Sequence, residues 1–554
     1  MHDLAVGEHL YRFPGGLRLR HHKQIACQTP LSRPPMPDAL FLPLRQHQGP
    51  AARLLVKIGE RVDKGQPLTR AESDREVPIH APTSGVIEAL RDWPVAWPLN
   101  GNAQCLELRP DGEDRWGTRE PLEHGFEAEP RRLIEALRDG GLAGLGGAMF
   151  PTASKLRGDW SGVQTLILNG SECEPYISCD EMLMRNRAGA ILEGGRILAR
   201  ALGAREVVIG IEDQMGAVQR AFREAAADHD PTSLCRVVQV TTIYPEGGEK
   251  QLIQVLTGRE VPHDGLPQDL GLVCLNVATA AAARDIVIDG TPVIERIVTV
   301  SGPGIQAPRN LTTLLGTPVA DLIACAGGVA GEIDRLVLGG PMSGLPLASD
   351  LVPIVKGSNC ILALRTEDTR RVQPEMPCIN CGECVRVCPA SLLPQQLFHF
   401  LRSDDLDGAD RLNLFDCIEC GCCAHVCPSH IPLVDWYRNG KGRLRERSVE
   451  DQRAELARHR FEAREQRLAE RGEEKRQRRE QREKRLEKPG QARSEVEAAI
   501  ARSRARSAAP KADGASKADK QSDKNNDKNN DKYKDTQESG TSNANNSDSD
   551  GSGK

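Results

Sequence analysis

The chain lacks a long hydrophobic run. No stretch of its 554 residues approaches eighteen consecutive apolar positions, so nothing in it reads as a membrane-spanning helix. A global excess of positive charge is also missing. The formal net charge is −5 with 27% charged residues, which gives no reason to expect nucleic acid as a partner. The first residues, MHDLAVGEHLYRF, carry neither a basic n-region nor an apolar h-region, so no signal peptide is expected. The cysteines do not look like a disulfide framework. Of seventeen, nine (Cys27, Cys105, Cys173, Cys179, Cys235, Cys274, Cys325, Cys360 and Cys422) are mostly isolated in apolar or mixed contexts, as in a reducing compartment.

The other eight cysteines lie within fifty residues. Cys378, Cys381, Cys384 and Cys388-Pro389 form one run, and Cys417, Cys420, Cys423 and Cys427-Pro428 repeat it. Each reads C-x2-C-x2-C-x3-C-P, the bacterial ferredoxin pattern, and two copies predict two [4Fe–4S] clusters. Three cysteines at x2 spacing let one tight loop wrap three corners of a cubane, and the fourth reaches across to the other cluster. The expected ligand sets are therefore Cys378, Cys381, Cys384 and Cys427 for one cluster, and Cys417, Cys420, Cys423 and Cys388 for the other. Gly382 and Gly421 leave room beside the sulfurs, and the prolines turn the chain after the crossing ligand. Paired zinc sites also use C-x2-C, but they do not need a third cysteine at the next x2 step in both halves. Cys422 adjoins a ligand and reads as a spectator thiol.

The rest of the chain divides by pattern. Residues 1–125 form an N-terminal region in which short β-rich runs alternate with turns. Its G-x-x-V-x-x-G-Q-x-L and A-P-x-S-G-x-I segments (residues 59–68 and 81–87) resemble the barrel-sandwich fold of biotinyl and lipoyl carriers. A carrier needs a lysine at its hairpin tip, and Ser73–Pro78 offers none, so a structural adaptor is the better reading. Residues 126–290 alternate helix-period segments with buried-strand runs such as Thr165–Leu168, Glu206–Ile211 and Val237–Val240, predicting an α/β domain of Rossmann type. Residues 291–345 form a further small unit, and 365–437 the cluster domain. Residues 441–488 are dense in Arg, Glu, Lys and Gln, as in a solvated, salt-bridged helix. Binding of that helix to nucleic acid or acidic lipid is the weaker alternative. Residues 489–554 turn to Ala, Ser, Lys and then Asn/Asp/Lys repeats that cannot build a core, so disorder is expected.

A second chemical site is suggested upstream. The run Gly140–Thr152 is rich in glycine, and such loops bring backbone N–H groups close to a phosphate or a flat ring, with Lys155 adding charge. Alone it is a weak signal. Its partner is Leu166–Pro175, a strand ending in Asn169 and followed by Glu172 and Glu174, whose carboxylates suit sugar or ribityl hydroxyls. The alternative is a polar loop capping the next helix.

Together, G-L-G-G-A-M-F-P-T-x-x-K (144–155), N-G-S-E-C-E-P (169–175), Y-P-E-G-G-E (244–249) and L-N-V-A-T (275–279) resemble the flavin-binding subunit of respiratory complex I. That subunit holds its single cluster through a different cysteine pattern. The order of a barrel-sandwich-like domain, a flavin-subunit-like α/β domain, an SLBB-like β-grasp unit, a two-cluster ferredoxin domain and a charged tail resembles the RnfC (RsxC) family of the Rnf (Rsx) ion-translocating electron-transport complexes, over roughly residues 10–435. The resemblance implies FMN beside Gly144, Gly146, Gly147, Lys155, Asn169, Glu172, Gly247, Glu249 and Asn276, with Phe150 and Glu174 nearer NAD(H). Leu145, Met149 and Ser171 depart from the complex I motif, where Arg, Gly and Asp are usual.

The implied activity is oxidoreductase chemistry: FMN exchanges a hydride with NAD(H) and passes single electrons to the two clusters, a conversion that flavins support. The implied partners are the membrane subunits of the complex, with ferredoxin or flavodoxin as further candidates. The implied place is peripheral, on the cytoplasmic face of the bacterial inner membrane. Two other readings stay open at this point: a soluble flavo-iron–sulfur diaphorase subunit, and a relay or docking subunit without its own NADH activity.

Overall fold

The computed structural model describes residues 6–96, 101–158, 162–369, 373–486 and 489–507. Among the described residues, fifteen strands run in chain order. In the N-terminal region these are β1 (Leu40–Pro43), β2 (Arg53–Leu54), β3 (Arg61–Val62), β4 (Thr69–Arg70), β5 (Gly85–Val95) and β6 (Gly101–Pro110). They form an antiparallel sheet in the order β1-β6-β5-β3 and a separate β2-β4 pair. Leu40, Leu42, Ile87, Leu106 and Leu108 are buried together between them. The lysine-free hairpin tip is used as a contact: Asp74 pairs with Arg138 at 3.6 Å and with Arg157 at 2.7 Å. Both arginines belong to the segment around the glycine-rich loop.

The α/β domain is built on β7 (Thr165–Gly170), β8 (Glu206–Glu212), β9 (Cys235–Val240) and β10 (Leu272–Asn276), all parallel, in the order β10-β7-β8-β9. Its strands read as continuous apolar runs because both faces are covered. Leu166, Leu168, Val207 and Ile209 face the helices Cys179–Leu202 and Val277–Asp289. Ile167, Val208 and Cys274 face the helix Glu249–Thr257 through Leu252, Ile253 and Leu256. The two helices on the first face approach closely at Gly194, where an added Cβ would lie 1.8 Å from the carbonyl oxygen of Ala280.

The sheet grows from β7 through β8 to β9, and the chain then returns to place β10 on the other side of β7. The strand order therefore reverses between β7 and β10, and the crevice at their carboxyl ends is where open α/β sheets bind ligands. The parallel register puts Asn169 and Asn276 opposite each other at that edge.

The next sheet contains β11 (Glu295–Ser301), β12 (Arg309–Leu314), β13 (Ile333–Leu338), β14 (Leu345–Pro346) and β15 (Cys360–Arg365), in the order β12-β11-β15-β13-β14. β15 lies beyond the 291–345 segment, yet it is the central strand. Its CILALR sequence is apolar enough to be buried between β11 and β13.

The cluster domain is loop-rich, with a small core around Leu397, Phe398, Leu401, Leu414, Ile431 and Tyr437. The charged helix runs from Leu433 to Leu486, starting eight residues before the expected 441. Its first turns are anchored by buried Leu433, Tyr437 and Leu444, apolar contacts that a composition scan does not register. The compact unit extends to Glu450. From Asp451 the described helix is solvated and carries i,i+3 and i,i+4 pairs such as Arg458–Glu455 and Arg479–Glu483. A second helix covers Pro489–Ser507, where composition predicts a coreless tail from 489. Its Ala, Arg and Glu content favours helix without any core. The remaining predicted tail, 508–554, lies outside the described residues.

Candidate functional site: a switch-point crevice and two cysteine cavities

The helix Pro130–Asp139 ends at Gly140 and releases the glycine-rich loop onto the switch point. The loop is pinned by backbone pairs, Gly144 N–H to the Phe150 carbonyl at 2.8 Å and Met149 N–H to the Gly144 carbonyl at 3.2 Å. Leu145 N–H donates to Thr279 Oγ1 at 3.0 Å, and the Leu145 carbonyl accepts from the buried Arg296 guanidinium at 2.7 Å. These bonds turn Leu145 and Met149 inward, while Gly146, Gly147, Ala148 and Phe150 face solvent. Gly147 adopts φ +99° with open space beside it, a conformation that only glycine takes up cheaply. Gly146 lies against Asn276, whose Cβ would sit 2.9 Å from an added methyl. The Met149 side chain packs toward Gly357, away from the open face of Gly147.

The floor of the crevice is a hydrogen-bonded set. Asn169 Nδ2 donates to the Gly247 carbonyl at 2.8 Å. Asn276 caps the helix Val277–Asp289, its Oδ1 accepting from Ala278 N–H at 2.8 Å, and its Nδ2 donates to Asp180 at 2.6 Å. Lys155 Nζ bridges Glu249 at 2.8 Å and the Cys274 carbonyl at 2.7 Å. The loop, both strand ends and the Gly247–Glu249 segment thus meet at one place.

The two carboxylates behave differently from the expectation. Glu172 is turned inward, accepting from Asp180 N–H at 3.0 Å and Glu181 N–H at 3.3 Å at the start of the helix Cys179–Leu202, with Lys23 3.8 Å away. Burial pushes its carboxyl up to about 7, against the opposing pull of Lys23. Glu174 is spent on the loop after β13, accepting from Met342 N–H at 2.8 Å and Ser343 N–H at 2.9 Å, and burial raises its carboxyl as well. Both are mostly buried and engaged by backbone N–H groups, Glu172 at a helix start and Glu174 in the loop after β13. The physical reason is that nearby orphan backbone N–H groups claim them.

In the cluster domain, the two cysteine runs adopt the same backbone path. Asn380 and Glu419, Gly382 and Gly421, and Ser391 and His430 all take positive φ at matching places in the two runs. One cavity is lined by Cys388 together with Cys417, Cys420 and Cys423. A second is lined by Cys378, Cys381 and Cys384 together with Cys427. Each cavity gathers three thiols from one run and the fourth from the other, a donor set that fits a [4Fe–4S] cubane. Cys422 also borders the first cavity, but it is fully buried and packs with Cys173 and Tyr244.

Four family models match in sequence order: the RnfC barrel sandwich hybrid domain over 11–113, the Nuo51 FMN-binding domain over 137–285, the SLBB domain over 297–346 and the 4Fe-4S dicluster domain over 377–431. The C component of the ion-translocating oxidoreductase complex of Yersinia pestis is 45% identical over 83% of this chain and 74% of its own length. The chain belongs to the RnfC family of ion-translocating oxidoreductase complexes. Other members of similar likeness come from Erwinia tasmaniensis (45% identical over 84% of this chain and 58% of its own length) and Pseudomonas aeruginosa (44%, 83% and 59%). The chain thus spans under three fifths of the length of several curated relatives it matches. An NAD+-reducing [NiFe]-hydrogenase in its H2-reduced state overlaps 55% of this chain and 61% of its own, at 21% identity and TM-score 0.40, too distant to carry an argument.

RnfC membership sets the modules in order: a barrel-sandwich domain, an FMN-binding domain, an SLBB domain and a dicluster domain. The cofactors are correspondingly FMN and [4Fe–4S] clusters. No helix among the described residues is long and apolar enough to cross a membrane.

Sequence reasoning missed several residues that hold the site. Arg296 and Thr279 fix the Leu145 peptide. Lys356, 1% exposed, donates to the Pro78 and Gly141 carbonyls at 2.6 Å each and joins three domains at the root of the loop. The only local signal for Lys356 was a lysine closing the apolar run Leu351–Val355.

Proposed function

We propose that the chain is the peripheral electron-transfer subunit of a membrane-bound Rnf-type complex, on the cytoplasmic face of the bacterial inner membrane. It acts as an oxidoreductase subunit between NAD(H) and two [4Fe–4S] clusters, with ion translocation carried out by membrane partners and ferredoxin or flavodoxin as candidate redox partners. The carrying observation is the presence, in one compact unit, of a switch-point crevice and two four-cysteine cavities. In this reading Gly144, Gly146, Gly147, Lys155, Asn169, Gly247, Glu249 and Asn276 hold FMN, with Phe150 at the nucleotide side. Bound there, FMN supplies the conversion between electron pairs and single electrons.

The protein's own contribution is placement. The Gly146–Ala148 edge leaves space for a flat ring, and Asn169 and Asn276 hold the two strand ends together. Lys155 offers a cation within reach of a phosphate once it exchanges its Glu249 contact. Cys378, Cys381, Cys384 and Cys427 hold one cluster and Cys417, Cys420, Cys423 and Cys388 the other.

The test is anaerobic purification of the full chain, release and counting of flavin, and addition of NADH. Stoichiometric FMN that bleaches supports the reading. Iron without flavin leaves only a relay subunit, and failure to co-purify with integral membrane subunits removes the membrane assignment.

A further inference from the structure

The contacts that the N-terminal region, the flavin-type domain and the 291–345 unit make with the cluster domain are unevenly distributed over the two cavities. Tyr244, 4% exposed, lies three residues before Gly247, and that step spans at most about 11 Å of chain. Its hydroxyl donates to the carbonyl of Cys420 at 2.7 Å. Its backbone pairs in both directions with Leu17 (2.7 and 2.9 Å), and the neighbouring Gly16 N–H donates to the carbonyl of Val387, next to Cys388, at 3.1 Å. Asp416, next to Cys417, contacts His263 at 2.7 Å and Lys250 at 3.7 Å. Gly421 has the Met342 carbonyl oxygen 2.8 Å from where a Cβ would be. All of these contacts fall on residues at or beside Cys388, Cys417 and Cys420.

The other cavity looks outward. Cys381 is exposed, and its neighbours Ile379 and Met376 are 67% and 54% exposed. Large apolar side chains left in water beside a redox centre contrast with the fully buried Cys422 beside the first cavity.

We infer that the two clusters are ordered, with the cluster of Cys388, Cys417, Cys420 and Cys423 facing the flavin and the cluster of Cys378, Cys381, Cys384 and Cys427 facing the outside. Tyr244 is a positioning residue that ties the flavin-side cluster to the crevice. Clusters held by these two cysteine sets would supply one-electron transfer, the Cys420 set on the flavin side and the Cys381 set on the outer side. Each transfer oxidises the donor by one electron and reduces the acceptor by one, and no bond forms or breaks. The inference rests on the proposed flavin and cluster sites.

The experiment uses the full chain with both clusters assembled. Cys381→Ser and Cys420→Ser assign the two reduced-cluster EPR signals. A dysprosium chelate in solution then reports which cluster is nearer the surface. The signal lost in Cys381→Ser should relax several-fold faster with the chelate, and the signal lost in Cys420→Ser should change little; the reverse, or equal effects, overturns the order. If a cysteine variant loses both clusters, Tyr244→Phe makes the assignment. Removing its hydroxyl takes a donor from the Cys420 carbonyl, so it should shift one cluster to a more negative potential, and that cluster should be the one shielded from the chelate. A shift in the chelate-sensitive cluster instead, or no shift, overturns the role of Tyr244. The chelate readout needs no flavin, so a chain without FMN fails the flavin reading while still testing the cluster order.

Discussion

Gly146→Ala isolates the close approach that defines the crevice. Gly146 does not take a positive φ, so alanine meets no backbone penalty there. The obstacle is Asn276, whose Cβ would lie 2.9 Å and whose Cγ and Nδ2 would lie 3.1 Å from the new methyl. Asn276 cannot yield cheaply. It caps the helix Val277–Asp289, and losing such a cap costs about 1 kcal/mol. It also donates to Asp180 at 2.6 Å, and a hydrogen bond to a charged group contributes about 1.5–3 kcal/mol. Losing both sets the strain at roughly 2–4 kcal/mol, unless the loop itself moves. If that strain falls on cofactor binding, FMN affinity drops by roughly 30- to several-hundred-fold. The assay is flavin-fluorescence titration of the flavin-stripped chain, with the double variant Gly146→Ala/Asn276→Gly as a coupling test. Relief of the clash should make the double variant less than additive. Gly146→Ala binding FMN within threefold of the parent, with unchanged thermal stability, would refute the argument that this approach shapes the site.

The remaining expectations concern the clusters and the buried charges. Cys388→Ser should eliminate the cluster of the Cys417 run, and Cys427→Ser that of the Cys378 run; loss confined to the mutated run, read by EPR and iron content, counts against crossed ligation. Burial lowers Lys356 from its ordinary 10.5 to about 7, so between those values the unfolded chain holds a proton that the folded chain has released. Stability should therefore rise with pH across that window by up to about 1.4 kcal/mol per unit, and Lys356→Met should lack the rise. Hydrogen exchange of the loop root at several pH values measures the difference, and parallel profiles would show that Lys356 stays charged. Glu174→Gln should weaken the Met342–Ser343 attachment by about 1–2 kcal/mol, seen as faster local exchange, with the KM for NADH unchanged; a raised KM with undisturbed exchange would return Glu174 to the nucleotide.

Much of the cluster domain was legible in the sequence because its chemistry is local. A loop that wraps a cubane needs thiols at fixed short spacing, with room beside them at Gly382 and Gly421, and both are written in consecutive residues. The crossed fourth ligand was read from the x3 step before proline, and each cavity is lined by three thiols of one run and one of the other. The crevice was legible only in parts. The glycine loop and the two asparagines stood out, but the roles of Glu172 and Glu174 did not, because which N–H groups a carboxylate meets is decided by neighbours such as Met342, 168 residues away. The central strand β15 is hidden for a similar reason: a short apolar run shows no sign of the strands it will join.

The sequence by itself determined the modules: two cluster-binding loops, parallel buried strands, a barrel-sandwich region without a carrier lysine and a charged helix. Each follows from spacing and periodicity over a few residues, where covalent geometry and local burial dominate. The tertiary structure alone decided where these modules act on each other. It reversed the strand order between β7 and β10, faced Asn169 with Asn276, set Lys356 under Gly141 and brought Tyr244 to Cys420 across 176 residues. Such contacts depend on packing shared among many side chains, so no single segment encodes them.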